Sequence, residues 1–300
     1  MTARVVAVVG PTATGKSAVA IALAHRLGGE VVNVDSMQLY RGMDVGTAKL
    51  TLAEREGVTH HLLDIWPVTR TASVADYQRL GRACIEDLLA RGVSPILVGG
   101  SGLYVRALLD PIEFPGTEPE VRAALENDVQ ALGSPALHAR LAASDPAAAA
   151  AIDPANGRKI IRALEVIALT GKPFSAALPG YDSSVYDAVQ IGLDLPTEDL
   201  DARIATRVER MVDGGLVDEV RALARQGLRD GVTASRALGY AQMLAVIDGA
   251  MDVDTAVAQT VQGTRRFLRR QRSWFRRDPR ITWFDSDDGV VDRAIARVTA

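Results

Sequence analysis

Short apolar runs and helix-period stretches alternate along the first hundred residues. RVVAVV (4–9) leads through a glycine-rich turn into the helix-like SAVAIALAHRLGG. VVNVD (31–35) and SPILVGG (94–100) repeat the apolar run, and the second again opens a helical segment, GLYVRALLD. Buried runs of this length, bounded by turns and alternating with helices, predict a parallel sheet covered on both faces. Between Pro111 and Pro119 the pattern changes. From there to about residue 173 no strand-like run occurs; EVRAALENDVQALG, ALHARLAASD, AAAAAID and NGRKIIRALEVIALTG read as four helical pieces. The last stops at Gly171 with Pro173 just beyond, a helix-ending combination. AVQIGLDLP (188–196) returns to a strand, long helices run to about residue 277, and ITWFD supplies a last strand.

GPTATGKS, residues 10 to 17, fits the phosphate-loop pattern and lies between a strand and a helix, the context that pattern requires. Gly10, Pro11, Thr12, Ala13, Thr14, Gly15, Lys16 and Ser17 would curl backbone N–H groups around phosphate oxygens at a helix N-terminus. Lys16 supplies a mobile cation and the Ser17 hydroxyl a ligand for Mg²⁺. The fold class expected is therefore α/β: a P-loop NTPase (kinase-like) parallel-sheet core, residues 1–112 and 188–300, with an all-helical insertion domain at 113–187. Asp35, closing VVNVD, is placed either to hold a metal, as in a nucleotide hydrolase, or to act on a substrate directly. GGSG (99–102) turns Ser101 toward the crevice at the carboxyl ends of the strands, although a plain strand-to-helix turn explains it equally well.

Charge changes the picture locally. The formal net charge is −3, so bulk electrostatics neither demand nor exclude an anionic partner. Yet RRFLRRQRSWFRR (265–277) holds seven arginines and no acid. At helical spacing Arg265, Arg269, Arg272 and Arg276 share a face, opposite Phe267, Leu268, Trp274 and Phe275. A single-sign stripe this dense repels itself without an anionic partner, which favours phosphate-backbone contact over a merely solvated face. Only four lysines, Lys16, Lys49, Lys159 and Lys172, stand among 34 basic residues, a mild hint that a compact ammonium is needed there. The lone Cys84 fits a reducing compartment. The first residues enter a strand without a signal peptide, and no apolar stretch approaches the roughly 20 residues of a membrane span; the expectation is a soluble, cytoplasmic chain. His60 and His61 lack further ligands for zinc, so one of them is expected to pack or cap.

GPTATGKS, DSMQLYRGMDVGTAK, HHLLD, SVADY, ILVGGSGLY, RALEVIALTGKP, RALGYAQ and RRQRSWFRR, in that order along nearly the whole chain, resemble the bacterial tRNA dimethylallyltransferases, also called tRNA isopentenyltransferases. The resemblance implies transfer of a dimethylallyl group from dimethylallyl diphosphate to N6 of the adenosine 3′ of the anticodon, with Mg²⁺, in tRNAs reading codons that begin with U. The target base would be flipped out into a channel, and a chain able to surround an anticodon stem-loop is expected to work as a monomer. Asp35 would take the amine proton, Lys16 would neutralise charge on the leaving diphosphate, and Ser17 and Asp35 are the candidate metal ligands. Ser101, where the family often has threonine, would sit near the amine or the bridging oxygen. The same resemblance places Asp35, Ser36, Met37 and Gln38 against the base, with Gln38 as its amide reader, and Ser101 beside them. It places Arg122, Lys159, Ile160, Ile161, Arg162 and Ala163, and Arg236, Ala237, Leu238, Gly239, Tyr240 and Ala241, along the tRNA path. Two other activities use the same loop: prenylation of free AMP, which needs neither the insertion nor the arginine stripe, and a small-molecule kinase, which leaves DSMQLYRGMD unexplained.

Overall fold

The computed structural model describes residues 2–174 and 180–300; Met1 and residues 175–179, the latter inside the expected insertion, lie outside the described residues. Among the described residues six strands, β1 (Val6–Val9), β2 (Glu30–Asn33), β3 (His60–His61), β4 (Pro95–Gly99), β5 (Val189–Asp194) and β6 (Ile281–Asp285), form one sheet in the order β3-β2-β4-β1-β5-β6. Every pairing is parallel. The period-two alternation of a strand explains how β1 is apolar throughout. Val6 and Val8 pack on one face with α1 (Lys16–Leu27) and α12 (Val290–Thr299). Ala7 and Val9 pack on the other with Tyr77, Ile85 and Leu88 of α2 (Val74–Ala90) and Leu108 of α3 (Gly102–Leu109). Burial on both faces leaves no polar position to alternate with.

The strand order decides what can meet. β4 lies between β2 and β1, and β5 flanks β1 on the other side. The carboxyl ends of β2, β4, β1 and β5 therefore present, side by side, Asp35, the turn at Gly100 and Ser101, the loop at residues 10 to 17, and Asp194. That is the crevice in which sheets of this kind bind ligands. β3 is a two-residue edge strand whose histidines both find acceptors: His61 Nε2 lies 2.5 Å from Glu30 Oε2, and His60 Nδ1 2.9 Å from the Val58 carbonyl.

The chain separates into two compact units, Met1–Leu109 with Ser184–Ala300, and Asp110–Ser183. The first is completed by α8 (Thr197–Asp213), α9 (Leu216–Arg225), α10 (Tyr240–Ile247) and α11 (Val253–Phe275). No helix among the described residues is long and apolar enough to cross a membrane. Helix α11 carries the arginine stripe, and acids from elsewhere in the fold reach it. Arg272 and Arg276 both bind the Asp194 carboxylate at 2.8 Å, and Arg265 lies 3.5 Å from Asp201. Arg276 also stacks over Trp283, 4.5 Å from the ring centroid. Arg265, Arg272 and Arg276 are thus paired within the fold, whereas Arg266, Arg269, Arg270 and Arg277 are exposed.

The second unit packs α4 (Pro119–Leu132), α5 (Ser134–Ser144), α6 (Pro146–Ala151) and α7 (Gly157–Thr170) around Leu125, Leu137, Leu141, Ile160 and Leu164. Ile160, Ile161 and Ala163 face this core, so a side-chain role in RNA contact falls away for them: their period-3.6 positions are the buried face of α7. Lys159 is exposed, whereas Arg122 and Arg162 converge at 2.7 Å on the fully buried carboxylate of Glu165. Burial pushes the Glu165 carboxyl up, but the hydrogen bonds from both arginines outweigh it and hold it below the usual range. Glu165→Ala is expected to destabilise this unit by about 3 kcal/mol, the lower end for a broken buried pair because both arginines can rehydrate. Urea unfolding followed by circular dichroism measures it. Because the folded carboxyl is held low, its contribution is present at neutral pH and disappears as pH falls through the depressed value.

Candidate active site

The phosphate loop follows β1 through backbone conformations that few residues tolerate. Gly10 has φ +134°, and a Cβ there would sit 2.3 Å from the Leu193 carbonyl oxygen. Gly15 is left-handed at φ +77° and opens α1. The Thr14 hydroxyl donates to the Pro11 carbonyl at 2.9 Å, and Lys16 Nζ folds back onto the same oxygen at 2.5 Å. Burial pushes the Lys16 ammonium down to about 7; the Arg207 guanidinium adds to this and Asp35 opposes it. Arg207, from α8, is itself pushed down by burial and raised by Asp35. Two half-buried cations thus face one carboxylate, an excess of positive charge that suits an anion.

Asp35 lies just beyond β2 and is held by a short network. The Asn33 side chain accepts the Asp35 N–H at 2.9 Å and donates to the Asp35 carbonyl at 3.0 Å and the Leu62 carbonyl at 3.1 Å. Tyr77 OH donates to the Asn33 carbonyl at 2.9 Å. The Asp35 carboxylate in turn accepts the Met37 N–H at 2.8 Å through Oδ1, leaving Oδ2 without a protein hydrogen bond among the described residues. Ser101 Oγ accepts the Ser36 N–H at 3.3 Å, which ties the β4 turn to the β2 loop. The carboxylate is therefore oriented by backbone, not free to rotate.

Asp35 and Arg207 open onto a cavity of about 280 Å³. Thr12, Asp35, Ser36, Met37, Ser101 and Arg236 through Tyr240 all contribute, as do Gly46 and Thr47. Ile204, Val208, Met211, Leu238 and Phe267 make one side of it apolar. Gln38 and Ala241 are not in the lining. The Gln38 amide donates to the Thr47 carbonyl at 3.1 Å, so it holds the loop behind the cavity wall. That loop is fixed by Glu219 of α9, whose carboxylate accepts the N–H groups of Asp44, Val45 and Gly46 at 2.7–3.3 Å and the Tyr240 hydroxyl at 2.5 Å. Burial, then Glu219, pushes the Tyr240 hydroxyl far up. Lys49 is structural: only 4% of its side chain is exposed, and its ammonium bridges Asp44 at 2.5 Å and Asp64 at 2.6 Å.

Sequence patterns alone gave no sign of Asn33, Arg207, Glu219 or Gln271. Each is an ordinary polar residue in an amphipathic or strand context, and only long-range packing gives it a role. The Ser17 hydroxyl is exposed on the first turn of α1, and the Asp35 carboxylate keeps one oxygen without a protein hydrogen bond among the described residues.

A family model described as IPP transferase matches residues 38–278. The tRNA dimethylallyltransferase of Salinispora arenicola is 65% identical over 99% of this chain and 86% of its own length. That of Streptomyces coelicolor is 66% identical over 97% of this chain and 92% of its own. Among solved structures, the full-length tRNA isopentenylpyrophosphate transferase of Bacillus halodurans superposes with a TM-score of 0.73 at 43% identity, covering 98% of this chain and 94% of that one. A eukaryotic dimethylallyltransferase acting on tRNA gives a TM-score of 0.82 at 25% identity, covering 98% of this chain and 78% of that one. Matched by the family model over most of its length and by these relatives over almost all of it, the chain belongs to the IPP transferase family.

Proposed function

We propose that the chain transfers a dimethylallyl group from dimethylallyl diphosphate to N6 of the adenosine 3′ of the anticodon (position 37) in tRNAs reading codons that begin with U, acting as a cytoplasmic monomer. The observation that carries this reading is the meeting, at one cavity, of an oriented carboxylate, the Arg207 guanidinium and an apolar wall, with Thr12 of the phosphate loop in the lining and Lys16 close enough to feel both charges. The names of the relatives point the same way. The amine nitrogen attacks the allylic carbon, the C–O bond to diphosphate breaks, and the N6 proton passes to Asp35. An adenine amine is a weak nucleophile because its lone pair is delocalised into the ring, so a positioned base matters. Lys16, Arg207 and the loop N–H groups face the charge that develops on the leaving oxygen. The apolar residues from α8 and Phe267 receive the five-carbon chain and exclude water.

Magnesium fits the donor chemistry. Ser17 and Asp35 offer hard oxygens, and among the described residues no group of three His, Cys, Asp or Glu would hold a metal unaided. An ion held by these two side chains together with diphosphate oxygens and water is the usual habit of Mg²⁺, and it would supply further neutralisation of the leaving group.

For tRNA, the exposed Arg236 at the cavity, Arg269 on α11, and Lys159, Arg122 and Arg162 of the helical unit are the proposed contacts. Arg269→Ala is expected to weaken tRNA binding and reduce the salt slope of log Kd by about 1. Arg272→Ala should lower stability instead, because it leaves the buried Asp194 with one cation fewer. Filter binding across a salt series separates the two.

The acceptor is tested by offering labelled dimethylallyl diphosphate with unmodified tRNA, with AMP, or with ATP and candidate alcohols. Label in tRNA supports the proposal; label in AMP, or phosphate transfer from ATP, contradicts it.

A further inference from the structure

We propose that Gln271 is a positioning residue that sets the spacing between the phosphate loop and the Ser101 turn, an inference that rests on the prenyl-transfer reading above. Gln271 projects from the arginine-rich helix α11 into the sheet's carboxyl edge and is buried. Its Oε1 accepts the Thr12 N–H at 3.0 Å, and its Nε2 donates to the Gly100 carbonyl at 2.8 Å. One side chain thereby closes a hydrogen-bonded path from the donor loop to the proposed base: Thr12, Gln271, Gly100, then Ser101 to Ser36 at 3.3 Å, and so to Asp35.

The fit admits little else. A Cβ on Gly100 would lie 2.2 Å from Gln271 Nε2, and one on Gly102 would lie 2.0 Å from Cδ1 of Trp274, one turn further along α11. Gly100 and Gly102 are thus explained by the helix pressing on them. A carboxamide is the neutral group that can accept from one backbone and donate to the other across this gap. Gln271 also takes up the Thr12 N–H, which leaves the later N–H groups of the loop to face the diphosphate. Separating base from leaving group by about 1 Å can cost on the order of 10²-fold in rate. The residue touches neither reactant in this arrangement and acts through the two loops.

Two variants test it. Gln271→Met removes both hydrogen bonds at similar length, and Gln271→Glu keeps the acceptor for Thr12 while setting an oxygen against the Gly100 carbonyl. For Gln271→Met, kcat should fall at least about tenfold and inorganic diphosphate should bind about tenfold more weakly, with tRNA affinity within about twofold. For Gln271→Glu, kcat relative to wild type at the same pH should be low at about pH 8 and rise toward about pH 6, because a protonated carboxyl regains a donor for Gly100. A merely structural role would not produce that profile, and the Glu variant decides the matter should the Met variant fail to fold. Rates within twofold of wild type for both variants, or equal losses of tRNA and diphosphate affinity, would overturn the proposal. Diphosphate binding needs no turnover. An inactive wild type with the diphosphate difference intact would therefore refute the prenyl-transfer reading and leave the role of Gln271 standing.

Discussion

Asp35→Asn is expected to lower kcat for prenyl transfer by roughly 10²–10⁴-fold, the usual contribution of a positioned general base, while tRNA affinity stays within about threefold. The asparagine oxygen can still accept the Met37 N–H that fixes this turn at 2.8 Å, so the local geometry survives while the negative charge that would take the proton and help hold Mg²⁺ is lost. Asp35→Ala removes the turn as well and should be at least as slow. Single-turnover rates with labelled donor, set beside filter-binding affinities, give the two quantities separately. Near-wild-type rates in Asp35→Asn would remove Asp35 as the base.

The second large effect concerns Lys16 and carries a pH signature. Burial and then Arg207 push its ammonium down to about 7, only partly offset by Asp35. Without donor, Lys16 is therefore about half charged at neutral pH, and its charged fraction falls tenfold for each further unit. A bound diphosphate restores the charge, so donor binding takes up a proton above that value. Donor affinity should then be level below about pH 7 and weaken by up to tenfold per unit above it. Lys16→Met should lower kcat/KM for the donor by about 10²–10³-fold, as for loss of one transition-state donor, and its remaining affinity should lose that pH dependence. Titration of dimethylallyl diphosphate by calorimetry from about pH 6 to 9 checks both; a wild-type affinity that strengthens with pH would contradict the assignment.

What the sequence made legible was whatever is local. The phosphate loop is one contiguous stretch, and the apolar runs of β1, β2, β4, β5 and β6 were visible because parallel strands are apolar on both faces. The four helices after Pro119 were visible from their period. β3 was not, because two residues are too short to carry a pattern. At the site, Asp35, Ser101 and the segment from Arg236 to Tyr240 were nameable, and the structure brings them to one cavity. Gln271 was hidden among arginines, since its partners Thr12 and Gly100 lie far away in the chain. The ion pairs within the arginine stripe were hidden for the same reason: their acids, Asp194 and Asp201, stand far from it in the chain. The shared partner of Arg122 and Arg162, the buried Glu165, was not legible either, because Arg122 stands 43 residues before it.

The central claim is chemical, and one product analysis meets it directly. The protein is incubated with radiolabelled dimethylallyl diphosphate and an unmodified tRNA that reads a codon beginning with U, and the tRNA is then digested to nucleosides. The expected result is label in a single modified nucleoside, N6-dimethylallyladenosine, derived from the residue 3′ of the anticodon, with one diphosphate released per label incorporated. Label on any other atom or nucleotide, or release of diphosphate without label in the tRNA, would contradict it.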